Sequence, residues 1–81
     1  MKATNIRLFI KPGCPWCEDA EGWLQEHDIP YAVLDVRADR DARDEMEEIS
    51  EQTKAPVIDV DGEILADFDT DQLAQFWKRF D

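Results

Sequence analysis

The stretch Ile6-Arg7-Leu8-Phe9-Ile10-Lys11-Pro12-Gly13-Cys14-Pro15-Trp16-Cys17 decides how this chain is read. Ile6 to Ile10 is a short run of strand-forming residues. Lys11-Pro12-Gly13 ends it. Pro15 then stands at the start of a helical pattern, where its missing N–H is not needed. Two cysteines spaced Cys-x-x-Cys therefore fall at a strand-to-helix junction. A helix N-terminus offers unpaired N–H groups and a positive dipole potential, and these stabilise a thiolate. Cys14 lies at that end and is expected to be the exposed nucleophile. Cys17 lies one turn in, close enough to resolve a mixed disulfide on Cys14. Lys11 adds positive charge to the site, and Glu18 and Asp19 oppose it.

Downstream, Ala20, Trp23, Leu24 and His27 recur at helical spacing, and Asp28-Ile29-Pro30 closes that helix. Tyr31 to Val36 reads as a second strand. Asp39 or Asp41 is placed to cap a second helix, with Ala42, Met46 and Ile49 as its apolar stripe and its other faces crowded with acids. Val57 to Val60 and Glu63 to Ala66 are strands joined by Asp61-Gly62, a hairpin signal. Asp69 or Thr70 caps a last helix, whose stripe Leu73, Phe76, Trp77 and Phe80 reads as core. The predicted order is β-α-β-α-β-β-α, an α/β chain. The first two strands are parallel, because a helix joins them, and the last two form an antiparallel hairpin. The result is a four-stranded mixed sheet with helices on its faces. A Cys-x-x-Cys pair between such a strand and helix marks a thioredoxin-like redox site.

The chain has 81 residues, room for a single domain over residues 1–81. Its composition, 43% hydrophobic and 36% charged, suits a globular domain rather than a disordered tail. The formal net charge of −11 argues against nucleic-acid or anionic-membrane partners. No apolar run approaches the roughly 20 residues of a membrane span. Met1 to Ile10 has no continuous apolar segment, so no signal peptide is predicted, and two closely spaced cysteines suit a reducing, cytoplasmic compartment. A structural zinc site needs four N or S ligands, and one cysteine pair cannot close it. His27 lies too far down the helix to help, and it reads as a helix-end residue supporting the dipole.

Ala55-Pro56 is the second informative pair. In a thioredoxin-like layout, a cis proline here sets the preceding backbone beside the cysteines, where it can hydrogen-bond an extended substrate. Together, Lys11 to Cys17, Asp35-Val36, Glu45-Met46, Ser50 to Pro56 and Phe68-Asp69 resemble glutaredoxin, in register over roughly residues 5 to 80. The resemblance implies a thioredoxin-like fold and a monomeric dithiol-disulfide oxidoreductase. It would reduce disulfide-containing or glutathionylated proteins through Cys14 and Cys17. No bound cofactor is implied, and glutathione is the co-substrate. By position, Lys11 and Gln52 would meet the glycyl carboxylate of glutathione. The Ala55 backbone, before Pro56, would pair with its cysteinyl unit. Phe68, Asp69 and Thr70 would meet its γ-glutamyl end.

Three positions depart from the family pattern. Trp16 replaces a tyrosine, keeping an aromatic with a different polar tip. Ala55 replaces a valine whose backbone makes the contact. Ala66-Asp67 stands where glutaredoxins carry Gly-Gly, residues that let a ligand approach the backbone. The run Ala66 to Thr70 is also similar to the small glutaredoxin-like redoxins that serve ribonucleotide reductase and are recharged by thioredoxin reductase. A dimeric module built around an iron–sulfur cluster is the alternative from another class. It is disfavoured by Pro15, since family members with this proline are usually redox enzymes.

Overall fold

The computed structural model describes residues 5–80; residues 1–4, where the stretch read above for a signal peptide begins, and residue 81 lie outside the described residues. The elements are β1 (Ile6–Ile10), α1 (Pro15–Glu26), β2 (Ala32–Asp35), α2 (Arg40–Ser50), β3 (Val57–Val60), β4 (Glu63–Ala66) and α3 (Thr70–Trp77), the last continued by a 3-10 turn over Lys78–Phe80. This is the predicted order, in a four-stranded mixed sheet arranged β2-β1-β3-β4. β1 pairs parallel with β2 and antiparallel with β3, and β3 pairs antiparallel with β4.

Side chains alternate across a strand, and that period divides the core in two. Ile6 and Leu8 of β1, with Ile58 and Val60 of β3, face one side. There they pack with Ala20 and Leu24 of α1, Phe68, and Leu73 and Phe76 of α3. Phe9 and Val57 face the other side and pack with Cys17, Val36, Ala55, and Ala42 and Met46 of α2. β3 is buried at every residue, as expected of a central strand covered on both faces. Arg7 and Asp59 are register partners across β1 and β3, and the Arg7 guanidinium bridges the Asp59 carboxylate and Glu45 of α2, the latter at 2.8 Å. The pair fastens α2 to the sheet. A buried carboxylate such as Asp59, 8% exposed, needs such a partner.

Turn chemistry sets the connections. Asp61 and Gly62 both have positive φ, +52° and +94°, the geometry of a two-residue type I′ hairpin. Asp59 Oδ1 accepts the Gly62 N–H at 2.9 Å, steadying the turn. The expected strand Tyr31 to Val36 is shorter, Ala32–Asp35. Tyr31 lies outside the ladder, and its hydroxyl donates to Glu21 and accepts from Gln25. Val36 still donates its N–H to the Ile10 carbonyl at 3.0 Å.

Of the two candidate caps for α2, Asp39 is used; its carboxylate accepts the N–H groups of Asp41 and Ala42. Asp69 rather than Thr70 caps α3, through a capping box with Gln72. The stripe predicted for the last helix lies on the core: Leu73 and Phe76 are buried in it, and Trp77 and Phe80, half-buried, pack against it. His27 is exposed: it ends α1, its ring stacks on Trp23 at 4.0 Å, and its Nδ1 lies 2.8 Å from the Trp23 carbonyl.

Candidate active site

Lys11-Pro12-Gly13-Cys14 forms a tight turn between β1 and α1. The Cys14 N–H donates to the Lys11 carbonyl at 3.2 Å, and Gly13 takes φ +79°. Proline at the second position and a positive-φ glycine at the third are the requirements of a type II turn. The turn delivers Cys14 to the N-cap of α1, where its Sγ accepts the Cys17 N–H at 3.3 Å. The cap oxygen of an ordinary helix is thus replaced by sulfur, while Pro15 carries no N–H and the Glu18 N–H donates to the Cys14 carbonyl at 3.1 Å.

The two cysteines differ in surroundings. Cys14 is half-buried, at the rim, whereas Cys17 is 1% exposed and belongs to the α2-side core. Burial, and then the hydrogen bond with Cys14, pushes the Cys17 thiol up to about 12. At neutral pH Cys17 is a protonated thiol beside a more accessible sulfur. Cys14 packs against the same cluster that holds Cys17 and Ala55. The Ala55–Pro56 bond is cis.

Most of the remaining predicted residues fall in separate clefts. Trp16, Phe68 and Asp69 line one cleft of about 280 Å³, together with Asp67 and Gln72. The Asp67 N–H donates to the Pro56 carbonyl at 2.9 Å, so the α3 start is tied to the cis proline. Asp67 occupies a left-handed backbone conformation, φ +52°, which explains how the position can also host glycine. Phe68 is 3% exposed and belongs to the α1–α3 core. Thr70 opens into a neighbouring cleft of about 440 Å³ with Glu18, Asp19, Gly22, Trp23 and Glu26.

Lys11 lines another cleft of about 430 Å³ with Val36, Arg37, Arg43, Met46, Glu47 and Thr53. Its ammonium donates to the Thr53 carbonyl at 3.0 Å rather than to a cysteine sulfur. Gln52 lines none of these clefts. Its amide is committed within its own turn, donating to Ser50 Oγ and the Lys54 carbonyl and accepting the Lys54 N–H at 2.7 Å. Among the lining residues absent from the sequence expectation are Gln72, Arg37 and Arg43. Gln72 was detectable, since Asp69-Thr70-Asp71-Gln72 has the spacing of a capping box. Among the described residues no group of three or more His, Cys, Asp or Glu side chains is arranged to hold a metal ion, and no helix is long and apolar enough to cross a membrane.

Comparison with known proteins agrees with this geometry. A sequence model described as Glutaredoxin matches residues 6–65. A glutaredoxin-like 8.6 kDa protein of the rubredoxin operon of Clostridium pasteurianum is 32% identical over 91% of this chain and 99% of its own length. The crystal structure of the thioredoxin-like protein BC3987 superposes with a TM-score of 0.81 and 28% identity, covering 88% of this chain and 97% of that one. A glutaredoxin from Archaeoglobus fulgidus shares the fold at a TM-score of 0.78 and 13% identity, covering 88% of this chain and 83% of that one. With a thioredoxin-like fold, two cysteines close together at a helix start and a family match over most of its length, the chain belongs to the glutaredoxin family.

Proposed function

We propose that this chain is a thiol–disulfide oxidoreductase, acting as a monomer in the cytoplasm on disulfide-containing or glutathionylated proteins. One observation carries the reading: Cys14 Sγ caps α1 and accepts the Cys17 N–H, while Cys17 is buried with its thiol held protonated. The Cys14 thiolate attacks one sulfur of the substrate disulfide. A Cys14–substrate bond forms, the substrate S–S bond breaks, and the leaving sulfur takes up a proton. Cys17 then loses its proton and attacks Cys14 Sγ. The Cys14–Cys17 bond forms and the second substrate thiol departs. Two electrons and two protons have passed from the dithiol to the substrate.

The mixed disulfide also prepares its own resolution. With Cys14 bonded to substrate, it no longer carries the charge that helps hold Cys17 protonated. Two molecules of glutathione return the Cys14–Cys17 disulfide to the dithiol, with no bound organic cofactor. In that step Lys11 faces the glycyl carboxylate, the backbone of Ala55 before Pro56 pairs with the cysteinyl unit, and Trp16, Phe68, Asp69 and Thr70 flank the γ-glutamyl end. Gln52 supports this arrangement through the turn that carries Thr53 and Lys54.

A second reading is favoured by Asp67, whose carboxylate replaces a glycine at the rim of the γ-glutamyl side. There the electrons come from a flavoprotein thioredoxin reductase, and the acceptor is an enzyme such as ribonucleotide reductase. Coupled assays separate the two: one with glutathione and glutathione reductase, one with NADPH and thioredoxin reductase. Turnover in the first supports glutathione recharging, and turnover in the second alone selects the rival. No turnover in either, with an intact dithiol, would remove the oxidoreductase reading.

A further inference from the structure

Charge differs between the cleft that Lys11 lines and the clefts lined by Trp16 and by the start of α3. On the Lys11 side the cleft carries Lys11, Arg37 and Arg43 against one acid, Glu47. On the α3 side the clefts carry Asp67, Asp69, Glu18, Asp19 and Glu26, and neither is lined by a Lys or Arg. Trp16 lines the same cleft as Asp67 and Asp69 and is 60% exposed although it is a large apolar side chain. An exposed indole face attracts a cation, and more strongly than a tyrosine or phenylalanine ring does. Asp67 is held to the Pro56 carbonyl by its own N–H. The Asp69 carboxylate caps Gln72 through Oδ1 and keeps acceptor capacity beyond that bond.

We propose that the cleft of Trp16, Asp67 and Asp69 is a specificity subsite for a Lys or Arg side chain of the protein substrate, set close in sequence to the cysteine that Cys14 attacks. The proposal rests on the reading of Cys14 as the nucleophile and names the kind of disulfide it prefers. Trp16 lies two residues from Cys14, and an extended substrate advances about 3.3 Å per residue, so the cation belongs within roughly three residues of the substrate cysteine. Cation–π contact and two carboxylates favour a basic segment, and the same carboxylates repel an acidic one. The Lys11 side, of opposite sign, fixes which way round the segment lies.

The test uses three synthetic peptide disulfides that differ only two residues from the cysteine, carrying Arg, Ser or Glu, reacted with the reduced full-length chain in single-turnover experiments. The Arg peptide is expected to react about tenfold faster than the Glu peptide at about 20 mM ionic strength, and within about threefold of it at about 0.5 M. Asp67→Asn combined with Asp69→Asn should bring the low-salt ratio to about threefold or less; asparagine both caps helices and tolerates the left-handed conformation. Asp44→Asn combined with Glu48→Gln removes the same charge from the exposed face of α2 and should leave the ratio unchanged. Equal rates for the three peptides would overturn the subsite and leave the oxidoreductase reading standing. So would a preference that falls equally in both double variants, which assigns it to the net charge of the chain. Failure to reduce any of the peptides would overturn both.

Discussion

The rim of the site and the layer beneath it are three residues apart in sequence and differ in almost every physical respect. The rim holds Cys14, Trp16, Asp67 and Asp69, open to water at the starts of two helices. The layer beneath holds Cys17 among Phe9, Val36, Met46 and Val57, each essentially buried. The rim sulfur accepts the Cys17 N–H and is half-buried. The thiol one turn down meets hydrocarbon, and burial pushes it up. One helical turn therefore separates the half-buried sulfur, the attacking one in the reading proposed above, from the buried one.

The largest effect comes from exchanging the two positions for serine. Cys14→Ser is expected to abolish disulfide reduction, since no other thiol lies at the helix end. Cys17→Ser should still form a mixed disulfide with glutathione and retain reduction of glutathionylated substrates, while losing dithiol turnover. Mass spectrometry after limited alkylation of the reduced chain near pH 7 checks the division. Faster labelling of Cys17 than of Cys14 would reverse the assignment.

A smaller effect is expected in stability at alkaline pH. The Cys17 thiol is raised from 9.0 to about 12 by burial, so the unfolded chain gives up this proton first. Its stabilising contribution is complete below about pH 9 and is lost as pH rises through 12, at up to about 1.4 kcal/mol per pH unit. Denaturant unfolding of the reduced chain between pH 8 and pH 11, values set by that window, should show the decline. Cys17→Ala should flatten it. An equal slope in that variant would place the titration elsewhere.

The same contrast between rim and interior governs how much could be read from sequence. Interior features were legible because they are periodic, as in the three- and four-residue spacing of Ala20, Trp23 and Leu24, and the Asp61-Gly62 turn because its residue types are local. The Cys-x-x-Cys junction was legible because turn residues and helix starts are local. Partners far apart in the chain were not. Nothing local tells Arg7 that Asp59, 52 residues away, will face it across two strands. Nor does local sequence say that β1 will lie between β2 and β3. The Gln52 amide was ambiguous for another reason. Its donors and acceptors suit a ligand carboxylate and a tight turn equally, and the turn over Ser50 to Lys54 claims them. At Trp77 and Phe80 the helical spacing was right, and both side chains pack, half-buried, against the core.

The smallest effect sharpens the comparison at the rim itself. Glutathione carries two carboxylates and one ammonium at neutral pH, a net charge of about −1. In the glutathione reading proposed above, N–H groups at the start of α3 would attract its γ-glutamyl carboxylate. The Asp67 side chain, lining the same cleft, adds a like charge to that edge. Two such charges about 5 Å apart near a surface repel by about 3 kcal/mol at an effective dielectric of about 20, and salt and water reduce this strongly. Asp67→Gly removes the charge at a position whose φ of +52° glycine accepts without strain, and it retains the N–H that donates to the Pro56 carbonyl. The Michaelis constant for glutathione is therefore expected to fall, by up to about tenfold at low ionic strength, with the gain shrinking toward about 0.5 M salt. Steady-state kinetics at two salt concentrations measure it. An unchanged constant at low salt would mean that the carboxylate points away from the bound tripeptide, and that Asp67 acts on protein substrates alone.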